Sequence, residues 1–154
     1  MTSIKSILVS QPEPAGNKKS PYQDLAERYD LKVDFRSFIH IEEVEVKEFR
    51  QQKVDLSEFT AVIFTSRNAI DHYFRIAKEA RFTVPDTMKY FCTSEAIALY
   101  LQKYVVYRKR KIFFGGRRFP EVVELMKKHK KENFFLPTAD ILKPIVPNSL
   151  EEAG

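Results

Sequence analysis

Short apolar runs recur along the second half of this chain, and each hands over to small polar residues and then to an amphipathic stretch. "AVIF" (61–64) leads into "SRNAIDHYFRIAKEA", and "KYFC" (89–92) leads into "SEAIALYLQKY". "VVY" (105–107) and "IFF" (112–114) flank the basic run "RKRK", and "NFFLP" (133–137) follows the amphipathic "FPEVVELMKKHKK". The apolar runs predict short strands and the amphipathic stretches predict helices. The first half is less regular. "SILVS" (6–10) reads as a buried strand and "QPEPAGNKKS" as a loop. "SPYQDLAERY" reads as a helix with Ser20 as N-cap and Pro21 at the first helical position. On that helix Tyr22, Leu25, Ala26 and Tyr29 share a face. "KVDFRSFIHIEEVEV" (32–46) alternates and predicts extended chain, and "EVKEFRQQKVDLSEF" (45–59) predicts one further helix. The tail "ADILKPIVPNSLEEAG" predicts a helical region interrupted by Pro144 and Pro147.

Strands that read as continuous apolar runs and alternate with helices predict an α/β fold, a parallel sheet flanked by helices and buried on both faces. An internal echo supports this. With Ala69 set over Ala96, "IFTSRNAIDHYF" lies over "YFCTSEAIALYL", and "FLPTADIL" (135–142) repeats the grammar loosely. The small polar turns then fall at the carboxyl ends of parallel strands, where open α/β sheets bind ligands.

Composition adds bounds. The 154 residues suffice for one good core or parts of two, and 44% hydrophobic with 13% aromatic content excludes a disordered chain. A net charge of +5 with a pI near 9.2 suits an anionic ligand without demanding nucleic acid. The single cysteine, Cys92, excludes a disulfide framework and points to a reducing, cytoplasmic setting. "MTSIKSILVSQPEP" has no secretory pattern, and no stretch approaches the roughly 20 apolar residues of a membrane span.

The chemistry at strand-to-helix turns is specific. The first N–H groups of a helix lack intrahelical partners and carry partial positive charge, so a carboxylate or phosphate fits there. Thr65, Ser66, Thr93 and Ser94 sit at such turns. Plain helix capping is the commoner role for these residue types, and it leaves anion binding open beside it. "RKRK" (108–111) could contact phosphates but lacks an aromatic stacking platform, and a solvated turn is the commoner fate of such a run. "FGGRRF" (114–119) has neither dinucleotide-loop nor P-loop spacing. His40, His72 and His129 do not cluster, and Cys92 reads as a small buried hydrophobe rather than a nucleophile.

Six segments, in order, resemble the uroporphyrinogen-III synthase family. They are "SILVSQP", "SPYQDLAERYDLKVDFRSFIHI", "FTAVIFTSRNAIDHYF", "KYFCTSEAIALYLQKY", "FPEVVELMKK" and "NFFLPTADILKPIVPNSLEEAG". The third is the most diagnostic, an apolar strand running into Phe-Thr-Ser-x-x-Ala-Ile. The resemblance implies two α/β domains of Rossmann-like, flavodoxin-like type with a cleft between them. Residues 1–35 would begin an incomplete first domain, and 36–154 would form the second. It also implies conversion of hydroxymethylbilane to uroporphyrinogen III, with ring D inverted and water lost, in tetrapyrrole (heme) biosynthesis. No cofactor or metal is implied. The partner is a small polycarboxylate rather than nucleic acid or membrane, and the protein is expected to be a monomer. Thr65, Ser66, Arg67, Asn68, Thr93, Ser94, Pro137 and Thr138 would bind the substrate, while no catalytic residue is assigned.

Three features depart from the family pattern. Gln11-Pro12 stands where the family has an Arg-Pro type of pair, and Cys92 and Glu95 stand where it has Gly and Thr. Family members are longer, so the resemblance also implies that this chain is a truncated form. These departures keep a catalytically inactive α/β binding module open as the alternative. A phospho-accepting receiver domain is disfavoured, because "ILVSQPEP" and "VIFTS" lack the acidic cluster and the Asp it needs.

Overall fold

The structure, a computed structural model, describes residues 4–14, 20–116, 118–139 and 145–151. It divides into two compact units, Met1–Glu42 and Glu43–Gly154. The boundary expected between 35 and 36 falls at the end of the second strand, inside the first unit.

The first unit is one βαβ turn. β1 (Ser6–Val9) pairs in parallel with β2 (Lys32–Phe35), with Ser6 opposite Lys32 and Val9 opposite Phe35. Between them runs α1 (Pro21–Tyr29), capped as the sequence predicts. The Ser20 hydroxyl accepts from the Tyr22 amide, and the Gln23 side chain accepts from the Ser20 amide. Tyr22 packs edge-on against Phe35 with ring centres 5.7 Å apart, but Leu25 and Tyr29 of the expected apolar face are exposed. The extended stretch expected over 32–46 is a strand only to Phe35.

The second unit opens with α2 (Val46–Gln51) and a single 3₁₀ turn (Leu56–Glu58), not the one helix expected over 45–59. Lys53 breaks it by adopting a left-handed φ of 53°, and the Asp55 carboxylate then caps the next turn by accepting from the Ser57 amide. Next come β3 (Ala61–Phe64), α3 (Arg67–Glu79), β4 (Lys89–Cys92), α4 (Glu95–Tyr100) with a 3₁₀ extension, β5 (Ile112–Phe114), α5 (Phe119–Lys127), β6 (Phe134–Phe135) and α6 (Ile145–Glu151). The strand expected at 105–107 does not form. That segment is irregular, with Val106 exposed to solvent. Residues 140–144, including the expected break at Pro144, and the loop residues 15–19 lie outside the described residues, as does Arg117 of the glycine-rich stretch.

The four strands are all parallel in the order β5-β4-β3-β6. Alternation along each strand sorts side chains to two faces. Val62, Phe64, Tyr90, Cys92 and Ile112 meet Ile70, Tyr73 and Ile76 of α3 and Ala98 of α4. Ala61, Ile63 and Phe91 meet Phe119, Val122, Val123 and Met126 of α5 and Val146 of α6. The chain therefore steps outward from β3 to β5 with its helices on one face, then returns along the other face to place β6 beside β3. At the amino ends of the strands, Lys89 and Glu132 form an ion pair at 2.6 Å that ties the start of β4 to the approach to β6.

Phe64 anchors the first face. It is fully buried, its ring lying 5.6 Å from Tyr73 and 6.1 Å from Tyr90. Phe64→Ala is expected to cost about 3–5 kcal/mol of stability, measured by chemical denaturation.

Candidate functional site

β3, β4, β5 and β6 all end on one edge of the sheet, so the segments that follow them share that edge. Thr65 and Ser66 follow β3, Thr93 and Ser94 follow β4, Gly115 and Gly116 follow β5, and Leu136 to Thr138 follow β6. The register sets Phe64 opposite Cys92 and Val62 opposite Phe135, which carries Pro137 and Thr138 up beside the end of β3. The connections after β3 and before β6 lie on opposite faces, so the strand order reverses between β3 and β6. Such a reversal leaves a crevice at the carboxyl ends of the two strands.

The turns after β3 and β4 are near copies. Ser66 (φ −155°, ψ 164°) accepts from the Ala69 amide at 3.1 Å, and Ser94 (φ −153°, ψ 160°) accepts from the Ile97 amide at 3.4 Å. Both serines therefore cap their helices. A cap uses the oxygen as acceptor and leaves the hydroxyl hydrogen free to donate. This correspondence corrects the echo drawn from sequence: Thr65-Ser66 matches Thr93-Ser94, one residue away from the register that sets Ala69 over Ala96. The strand pairing fixes it, because a one-residue slip would turn every buried strand residue to the wrong face. The two turns are also joined, the Thr93 amide donating to the Phe64 carbonyl at 3.1 Å and its hydroxyl to the Thr65 carbonyl at 3.4 Å.

Thr65, Ser66, Arg67, Asn68 and Thr138 are exposed, while Thr93, Ser94 and Pro137 are half-buried. The third turn is already occupied from within the chain. The Glu121 carboxylate accepts from the Gly116 amide. The Cys92 thiol is fully buried and burial pushes its pKa up to about 12, which excludes it as a ready nucleophile. Among the described residues, no group of three His, Cys, Asp or Glu is placed to hold a metal ion. Nor is any helix among them long and apolar enough to cross a membrane.

One cluster was not legible in the sequence. The Arg67 guanidinium lies over the Tyr100 ring, 5.4 Å from its centre. The Tyr100 hydroxyl donates to the Asp71 carboxylate at 2.9 Å, as does the Lys103 ammonium, and Tyr104 donates as well. Burial acts to raise the Asp71 pKa, but donation from Tyr104, Lys103 and Tyr100 outweighs it and holds the carboxyl below its ordinary value. The cluster braces Arg67 from behind. These residues lie on two helices about 30 positions apart, and no spacing rule links them.

A sequence model of the family described as uroporphyrinogen-III synthase HemD matches residues 20–154. The chain belongs to this family. Comparison with curated proteins gives no match. The fold is similar to solved structures of uroporphyrinogen III synthase from the extremely thermophilic bacterium Thermus thermophilus. A mutant form aligns over 99% of this chain with a TM-score of 0.70 at 14% identity. A second structure aligns over 97% with a TM-score of 0.57 at 15% identity. Both alignments span 58% of the solved chain, so this sequence is little more than half as long as the synthases it matches. In this HemD family member, the β3 segment that carries the sequence resemblance is one of the two inner strands of the sheet.

A carboxyl held low by donors stabilises the fold above its unfolded pKa and loses that contribution as pH falls through the folded value. Tyr100→Phe should therefore move the Asp71 titration toward the ordinary carboxylate value, followed by NMR. It should also reduce the part of the stability that disappears on the acid side of that range.

Proposed function

We propose that the protein acts as a uroporphyrinogen-III synthase, closing hydroxymethylbilane to uroporphyrinogen III with inversion of ring D and loss of water. Family membership supports the reaction, and the crevice where strand order reverses beside the Thr65–Asn68 turn supports its location. The reversal of strand order between β3 and β6, with the Thr65–Asn68 turn at its carboxyl end, is the observation on which the reading rests. The hydroxyls of Thr65, Ser66, Thr93 and Ser94 and the free amides at the start of α3 would take substrate carboxylates. Arg67 would add charge, Asn68 a further donor, and Pro137 and Thr138 would line the side beneath β6.

The work of these residues is binding and orientation. Holding a flexible linear tetrapyrrole folded so that its reactive end meets ring D replaces an improbable encounter with a positioned one. No described residue is assigned as the acid that would assist departure of the hydroxyl. In this reading the protein works in the cytoplasm as a monomer on a small molecule, without cofactor, metal, nucleic acid or membrane. Residues 1–35 would begin one domain and 36–154 the other.

Turnover of porphobilinogen through the preceding enzyme, with product isomers separated, tests the activity. The protein should yield the type-III isomer. Type-I product alone would leave the inactive binding module in its place. Thr65→Val combined with Ser66→Ala should raise KM about tenfold while costing about 1 kcal/mol of stability from the lost cap. The same stability loss with KM unchanged would return both residues to capping alone.

A further inference from the structure

The opposite edge of the sheet, at the amino ends of β4 and β5, holds a cavity of about 710 Å³. Its walls are the loop from α3 to β4 and the loop ahead of β5. Phe74, Met88, Tyr90 and Ile112 form an apolar floor, and the last three of them are almost wholly buried. Lys78, Arg81, Arg108 and Lys111 stand around it, against one acidic residue, Asp86. Two of these cations belong to the "RKRK" run, for which the carboxyl-edge site has no use.

Two further observations bear on what the cavity could take. Among the described residues none of the four cations forms an ion pair, so their charge is not neutralised from within the chain. Tyr90 lines the cavity with its ring buried, and its hydroxyl reaches the cavity without a hydrogen-bond partner among those residues, so it is free to donate to a ligand. The rim is also held in place. Arg81 takes a left-handed φ of 59° where α3 ends, its amide donating to the Lys78 carbonyl. The Lys111 amide donates to the Arg108 carbonyl at 2.9 Å, and the Lys111 carbonyl accepts from the Tyr90 amide at 2.8 Å.

We propose that this cavity is a second binding site, for a small amphipathic anion with an apolar ring system or chain ending in a carboxylate. The volume falls within the range of small-molecule sites, and an apolar floor with a few polar groups at its edge is their usual composition. The apolar body would lie on Phe74, Met88 and Ile112, the Tyr90 hydroxyl would meet a polar atom of the ligand, and the carboxylate would face the cationic rim. The site is independent of the carboxyl-edge site and stands or falls apart from it.

Fluorescence titration of the 154-residue chain with anilinonaphthalene sulfonate, an aromatic anion that brightens in apolar sites, tests this. Saturable one-to-one binding is expected, displaced by naphthoate and weakened by added salt. Arg108→Ala with Lys111→Ala should weaken it about tenfold, Arg108→Gln alone less, with melting curves confirming that each variant is folded. Thr65→Val with Ser66→Ala should leave it unchanged. Binding that does not saturate, or that ignores the rim substitutions, would overturn the proposal. So would weakening by the carboxyl-edge substitutions, or displacement by a single-stranded oligonucleotide but not by naphthoate.

Discussion

Val62 and Phe64 face one way from β3, Ala61 and Ile63 face the other, and all four are buried. A strand with no solvent face must be covered twice, and that requirement organises the second unit. α3 and α4 cover one side and α5 and α6 the other. The chain can do this only by stepping outward along one face and returning along the opposite one. β6 is thereby delivered beside β3, and the reversal of strand order at that point is a by-product of burial. The candidate site exists because the core had to be covered twice.

The same constraint separates two chemistries. At the carboxyl ends of the strands the chain turns sharply into helices, and small residues with capping hydroxyls suit that geometry. The hydroxyls there stand among a few charged side chains, including Arg67 braced on Tyr100 and Glu121 on the Gly116 amide. At the amino ends the connections are longer and bring in Lys78, Arg81, Arg108 and Lys111 around the apolar floor of the cavity. Glu121 on the Gly116 amide shows that the carboxyl edge accepts a carboxylate, since the chain supplies one there itself.

The central architecture was readable because apolar run length and capping residues are local signals. "AVIF", "KYFC" and "IFF" are strands at the predicted residues, and Ser20 and Ser66 cap as their type and position suggest. The failures have distinct physical causes. Lys53 enters the left-handed region and splits the expected helix over 45–59, which no side-chain preference signals. "VVY" has strand composition but finds no neighbour to pair with, and pairing is a tertiary property. The echo between the two turns was set one residue off, because Ala-Ile matches are cheap while the hydrogen-bonded register is not. The Arg67, Tyr100, Asp71 and Lys103 cluster depends on how α3 and the segment after β4 pack side by side, which a linear pattern does not encode.

The central claim is that the reversal between β3 and β6 forms the tetrapyrrole-binding wall. Amide NMR of the chain titrated with uroporphyrin III, the stable oxidised relative of the proposed product, tests it most directly. The account predicts that shifts concentrate at residues 65–68, 93–94 and 138. Shifts confined to the amino-end loops, or scattered over the surface without saturation, would contradict it.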